Sequence, residues 1–160
     1  DKVMGTHNIV VQGARVGARL ETHCTAVGKL LLAHQDPARV ESWFQGRDLP
    51  RYTSTTITDF PSLATALEEI RRTGVSYDIG EQISDIRCVA VPVRDEMGAV
   101  VAALSVSVPA TRFDTREAQL IAAVKRGAAE VQRRLTASLD DPLNAGHGTP
   151  DVRELRPSRR

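Results

Sequence analysis

Cys88, Ser105 and Ser107 carry a thiol and two hydroxyls on two β-rich runs joined by a four-residue turn, Asp95-Glu-Met-Gly98. Arg87–Arg94 and Ala99–Val108 read as a hairpin, because β-branched residues alternate with small ones on either side of a glycine-bearing turn. Pairing Arg94 with Ala99 sets Cys88 opposite Ser105, Ala90 opposite Ala103 and Pro92 opposite Val101. Opposed residues share a sheet face, and so do alternate residues along a strand. Cys88, Ser105 and Ser107 are therefore expected on one side among small neighbours, while Val89, Val91, Val93, Val100, Leu104, Val106 and Val108 form an ordinary core face. Small residues leave room, and thiol and hydroxyl groups offer hydrogen bonds where a packed core offers methyls, the chemistry of a ligand pocket. A solvent-facing side also accepts serine, and a one-residue bulge would exchange the faces.

The second constellation is His23-Cys-Thr-Ala-Val-Gly-Lys29. With Thr25 as N-cap of a following helix, the free amides of Ala26 and Val27 sit where a helix start can receive an anion. Plain capping by Thr25 accounts for the same residues. Gly28-Lys29 looks like the end of a phosphate loop, but the matching glycine is missing and Leu30 stands where Ser or Thr is needed, so nucleoside triphosphate binding is rejected. Cys24 and Cys88 are the only cysteines. They make neither a disulfide framework nor a metal-ligand spacing, so no metal and no cofactor is expected.

The elements that must position these groups follow from periodicity and punctuation. Asn8–Gln12 reads as a short strand closed by Gly13, before a loop containing Gly17. Ala26–Ala33 reads as a short helix, apolar on most sides and so deeply buried. Asp36-Pro37 opens a second helix that runs to about Gln45 and stops at Gly46. Thr53–Thr58 is a short strand or extended link. Pro61–Thr73 is amphipathic, with Leu63, Ala66, Leu67 and Ile70 on one face and Gly74 as its stop. Val75–Asp78 is a strand, and a loop with Gly80 leads to the hairpin. A long helix from about Asp114 to Leu139 places Ile121, Val124, Ala128, Val131 and Leu135 at steps of three and four. Trp43 and Phe44 are expected in helix-core packing rather than in an interface. The order predicts an α+β domain in which an antiparallel sheet carries helices on its faces.

Composition bounds the function classes. The chain has 160 residues, one domain's worth, with 41% hydrophobic and 26% charged residues. A net charge of +1, from 21 basic and 20 acidic side chains, argues against a nucleic-acid surface built on bulk charge. No apolar run reaches the roughly 18 to 20 residues that span a bilayer, and the first residues lack the apolar block of a signal peptide. A cytoplasmic setting without membrane contact is the expectation. The abrupt start at Asp1-Lys-Val-Met4 suggests a piece excised from a longer protein, and residues 140–160, rich in Pro, Gly and charge, read as a flexible tail without a core.

Several of these stretches, in order and at natural spacing, resemble the effector-binding domain of the IclR family of bacterial transcription regulators. They are His23-Cys-Thr-Ala-Val-Gly-Lys-Leu-Leu-Leu-Ala33, Arg51-Tyr-Thr, Thr56-Ile-Thr-Asp59, Cys88-Val-Ala-Val-Pro-Val-Arg-Asp95 and Ala102-Ala-Leu-Ser-Val-Ser107. The resemblance covers about Val3 to Leu139, so an effector-binding domain over 1–139 is expected. It implies a GAF-like antiparallel sheet flanked by helices, preceded in the intact protein by a winged helix-turn-helix outside this chain, through which alone DNA would be bound. It also implies a homodimer or tetramer, and a small-molecule effector, a carboxylate, whose acid group meets the amides of Ala26 and Val27. An Asp, a Cys and two alternate Ser complete such a site and fall on Asp78, Cys88, Ser105 and Ser107, with Ile86 and Arg87 at its rim or lining. Asp78 would repel a carboxylate, so it should face a hydroxyl or hydrated carbonyl, or hold a water.

Two rivals stand beside the sensor. A cysteine enzyme or redox sensor using Cys88 needs a base or positive field. Arg87 belongs to the opposite sheet face, and nothing in the sequence brings His23 to Cys88, so no catalytic residue is assigned. A dimerisation module without ligand would use the long last helix together with Trp43 and Phe44.

Overall fold

The computed structural model describes Gly17 and residues 19–139. The expected strand over Asn8–Gln12 and the expected tail over 140–160 lie outside the described residues. Among the described residues the order is α1 (Ala26–Ala33), α2 (Pro37–Phe44), α3 (Phe60–Thr73), β1 (Ser76–Ile79), β2 (Ile86–Arg94), β3 (Val100–Pro109) and α4 (Ala110–Leu139). The strands form an antiparallel sheet in the order β1-β2-β3. This is the α+β architecture expected.

The helix ends follow their local chemistry. Asp36 accepts from the Arg39 amide at 2.9 Å, and Asp59 accepts from the Ser62 amide at 2.8 Å, each ahead of a proline in the first turn. Gly74 closes α3 in the left-handed conformation, φ 68°. Thr53–Thr58 forms turns and loop, with no strand, because its threonine hydroxyls bond backbone groups and compete with a ladder. α4 starts at Ala110, directly after Pro109 ends β3, and bends at Arg116, whose φ of −139° is not helical. That bend lies near Asp114, where the sequence pattern put the helix start.

Two apolar clusters divide the molecule at the sheet. One joins α1, α2 and α3 through Leu30, Leu32, Val40, Leu63, Leu67 and Ile70, with Ala103 of β3 packed against it. The other joins the opposite sheet face to α4 through Val89, Val91, Val93, Val108, Phe113, Val124 and Ala128. α1 therefore lies over the Ala103 face and α4 over the valine face. Not every expected core position is filled. Leu31 is exposed on α1, and Val131 and Leu135 are exposed on α4. Phe44 stacks on Phe60, whereas Trp43 is exposed beneath the Arg39 guanidinium, 5.0 Å from its ring centroid.

The hairpin corrects the expected register. Cys88 pairs with Ser107, Ala90 with Ser105 and Pro92 with Ala103, two residues away from the expected pairing. The turn supplies one residue of the slip: Asp95 N–H donates to Ala99 O at 2.9 Å, Gly98 takes φ +81°, and Arg94 pairs with Val100. A bulge supplies the other, since the next pair is Val93 with Ala102 and Val101 is left over. One such slip would exchange the faces; two restore them. Cys88, Ser105 and Ser107 thus share a face for a reason the simple hairpin did not contain.

Candidate functional site

Thr25 holds extended backbone (φ −121°, ψ 145°), and its Oγ1 accepts from the Gly28 amide at 3.2 Å. Lys29 N–H donates to Thr25 O at 2.9 Å, the first bond of the helix ladder. This cap leaves the amides of Ala26 and Val27, ahead of any intrahelical acceptor, as the free donors at the start of α1. Gly28 is required here. A Cβ at that position would come within 2.4 Å of Thr22 O and 2.6 Å of Thr25 Oγ1.

On the sheet face beneath α1, Asp78, Cys88 and Ser107 form one row across β1, β2 and β3. The next row is Ser76, Ala90 and Ser105. Cys88 Sγ and Ser107 Oγ lie 3.1 Å apart in hydrogen-bond contact. Ser105, expected beside Cys88, stands instead across from Ala90. The rows grade from closed to open: Ser76 and Asp78 are buried, Cys88 is half-buried, and Ser105 and Ser107 are exposed. Ile86 continues the Cys88 face. Arg87 takes the other side, donating to Ser84 O at 2.8 Å and Ile86 O at 3.2 Å.

A polar network that sequence reasoning missed brings the start of α1 to the Asp78 end of these rows. Buried Lys29 pairs with buried Glu81, just beyond β1. Cys24 Sγ donates to Gln82 Oε1 at 2.8 Å. Cys24 and Lys29 bracket Ala26 and Val27, so the turn that carries these amides is anchored to the loop after β1. Asp78 Oδ1 accepts from the Glu81 amide at 2.6 Å. The 53–56 loop seals the loop from outside: Thr56 Oγ1 donates to Glu81 O at 2.7 Å, and Thr53 Oγ1 to Gly80 O at 2.7 Å. At its far end α1 reaches Arg94, where His34 Nε2 lies 3.4 Å from the guanidinium. α1 therefore runs along the sheet away from Asp78. The threonine-rich run was the signal available for the sealing loop, and its alternation pointed to a short strand or extended link.

Burial raises the Asp78 pKa above the usual carboxylate range, assisted by the Glu81 charge and opposed by the Glu81 and Gln82 amides and Lys29. Burial also raises both thiols: Cys24 to about 12, and Cys88 to about 11 against the lowering effect of Ser107. Each is a protonated thiol near neutral pH, the opposite of an activated nucleophile. His23 Nε2 donates to Pro50 O at 3.0 Å, since that carbonyl can only accept. Two buried side-chain oxygens lack a hydrogen-bond partner among the described residues, Ser76 Oγ and Glu81 Oε2, one on either side of Asp78 in sequence. The arrangement offers neutral donors and helix amides, a set suited to a small anion with further polar oxygens. Among the described residues no cluster of His, Cys, Asp and Glu could hold a metal ion, and no helix is long and apolar enough to cross a membrane.

Residues 1–133 match the family model described as bacterial transcriptional regulator IclR C-terminal. The chain is 37% identical over 126 residues to the HTH-type transcriptional regulator KdgR of Escherichia coli strain K12, covering 79% of this chain and 47% of that regulator. The chain spans half or less of the length of such curated relatives. Among solved structures, the Thermotoga maritima IclR aligns with TM-score 0.75 and 32% identity, covering 84% of this chain and 55% of the other. The inducer-binding domain of the PobR transcription factor from Acinetobacter, a double mutant in complex with 3-hydroxybenzoic acid, aligns with TM-score 0.72 and 27% identity, covering 78% and 73%. These relatives are regulators, which supports a regulatory domain over an enzyme.

Proposed function

The chain belongs to the family of IclR-type bacterial transcriptional regulators, over their C-terminal domain, and from that premise we propose that it is an effector-binding domain that takes a small organic acid between α1 and the sheet. The acid's carboxylate meets the amides of Ala26 and Val27, with the positive end of the α1 dipole behind them. Cys88, Ser105 and Ser107 orient its other oxygens, and Asp78 faces a hydroxyl or carbonyl end. The observation that carries this reading is the Asp78–Cys88–Ser107 row on the α1 face, with the thiol and hydroxyl 3.1 Å apart. The acid bound by the similar PobR domain supports the ligand class.

Burial raises the Asp78 pKa, which lessens the repulsion a second carboxylate would bring. In the whole regulator, the bound acid biases the arrangement of subunits in a dimer or tetramer and so the spacing of winged helix-turn-helix domains that precede this one. A cytoplasmic location accompanies that role.

A thermal-shift panel of small carboxylates tests the reading. An acid at a hundredfold excess over Kd adds about 2.7 kcal/mol of stability, or about 5–10 °C in Tm for a domain of this size. The native chain gains that shift with at least one acid, and Ser107→Ala loses most of it. No shift with any carboxylate favours a dimerisation module instead.

A further inference from the structure

Ser76 is the one member of the two rows whose side chain is fully buried and has no hydrogen-bond partner. It stands on the face of Asp78 and Cys88, opposite Ala90, which is itself fully buried, and Ala90 in turn stands opposite Ser105. A methyl thus separates two hydroxyls on the outer strands, one strand spacing of roughly 4.8 Å to either side. Burying a hydroxyl without a partner costs its desolvation, whereas an alanine of the same shape would cost nothing. The neighbours do supply partners to other oxygens: Asp78 receives the Glu81 amide, and Cys88 meets Ser107. Of the buried side chains in the two rows, only the Ser76 hydroxyl is left without a partner.

We propose that Ser76 is a specificity-determining residue of the site, its Oγ reserved for a polar oxygen of the effector beyond the carboxylate. The proposal rests on the small-acid reading above and deepens it. Ser76 donates to a carbonyl oxygen or accepts from a hydroxyl of the ligand, which then lies along Ala90 toward Ser105. An acid lacking that oxygen leaves Ser76 as unserved as it is in the free chain, and gains nothing from it.

Matched acids differing by one hydroxyl test this on the full chain: propanoate with 3-hydroxypropanoate, butanoate with 4-hydroxybutanoate, and benzoate with 3-hydroxybenzoate, titrated by calorimetry into the native protein and Ser76→Ala. In at least one pair the native chain prefers the hydroxylated member by about 5–10-fold, the worth of one well-placed hydrogen bond. Ser76→Ala abolishes that preference and holds the parent acid within about twofold. The ligand-free variant melts at or above the native temperature, because no structural bond has been removed. A preference that survives in Ser76→Ala overturns the proposal, and so does a ligand-free variant that melts several degrees lower, which would make the hydroxyl a structural group. If no member of any pair binds even the native chain, the small-acid reading fails and takes this proposal with it. If acids bind but every pair binds equally, only the role of Ser76 fails.

Discussion

On the α4 side of the sheet, Val89, Val91, Val93 and Val108 are buried against Phe113, Val124 and Ala128; on the α1 side the same three strands present Ser76, Asp78, Cys88, Ser105 and Ser107. The first face gains its stability from apolar area removed from water. The second gives up part of that gain, holding a buried carboxyl, a buried hydroxyl without a partner and a thiol kept protonated. Ser105 and Ser107 are exposed, but Ser76 and Asp78 are buried, so exposure alone does not explain the difference. A face that is polar where it is buried is arranged for something other than stability.

Substitutions that act on one face only can break or sharpen this contrast. The largest effect is expected from Phe113→Ala, which empties the α4 cluster where Phe113 meets Tyr77 edge-on. Denaturant unfolding should show a loss of about 3–5 kcal/mol, while acid affinity of the folded fraction stays unchanged. Gly28→Ala comes next. Its methyl would press on Thr22 O and Thr25 Oγ1, at a cost of about 1–3 kcal/mol from overpacking. Unlike the first, it should also abolish acid binding in calorimetry, because the capped turn that offers the Ala26 and Val27 amides is deformed.

Asp78→Asn gives a smaller, pH-dependent effect of opposite sign. The folded-state pKa of Asp78 is raised above its ordinary value of 3.8, so the native state binds this proton more tightly than the unfolded chain does. Below 3.8 both states are protonated and the group costs nothing. As pH rises through the raised pKa, the buried carboxylate becomes charged and the native chain loses stability. Melting curves should therefore show Asp78→Asn stabilised at neutral pH, with the gain vanishing toward acid pH. The smallest stability change belongs to Ser107→Ala, an exposed position expected within about 0.5 kcal/mol of the native chain, although acid binding is lost. A Ser107→Ala variant that unfolds readily would place the hydroxyl in the structure rather than in the site.

Much of this arrangement was legible because it is local. Thr25, Asp36 and Gly74 mark helix ends through bonds to residues three or four positions away, and the α+β order follows from alternating periods. The hairpin faces were legible only because the three-residue turn and the bulge beside Arg94 shift the register twice, and the preference for such a turn over a four-residue one is not written in a single residue. Lys29 with Glu81, Cys24 with Gln82 and Thr56 with the Glu81 carbonyl join segments distant in sequence. No periodicity records such pairs, which is why buried Glu81 went unnoticed. Ser76 escaped for a different reason: a serine in a short strand is ordinary until its surroundings show that nothing bonds to it.

The central claim is that an acid is held between the start of α1 and the Asp78–Cys88–Ser107 row. Amide shifts in a ¹⁵N-correlated NMR titration with the most stabilising carboxylate of the panel test it most directly. The largest changes should fall on Ala26, Val27, Cys88 and Ser107, with Val91, Val124 and Ala128 nearly still. Shifts centred on α4 and the valine face, with Ala26 and Val27 unmoved, would contradict it.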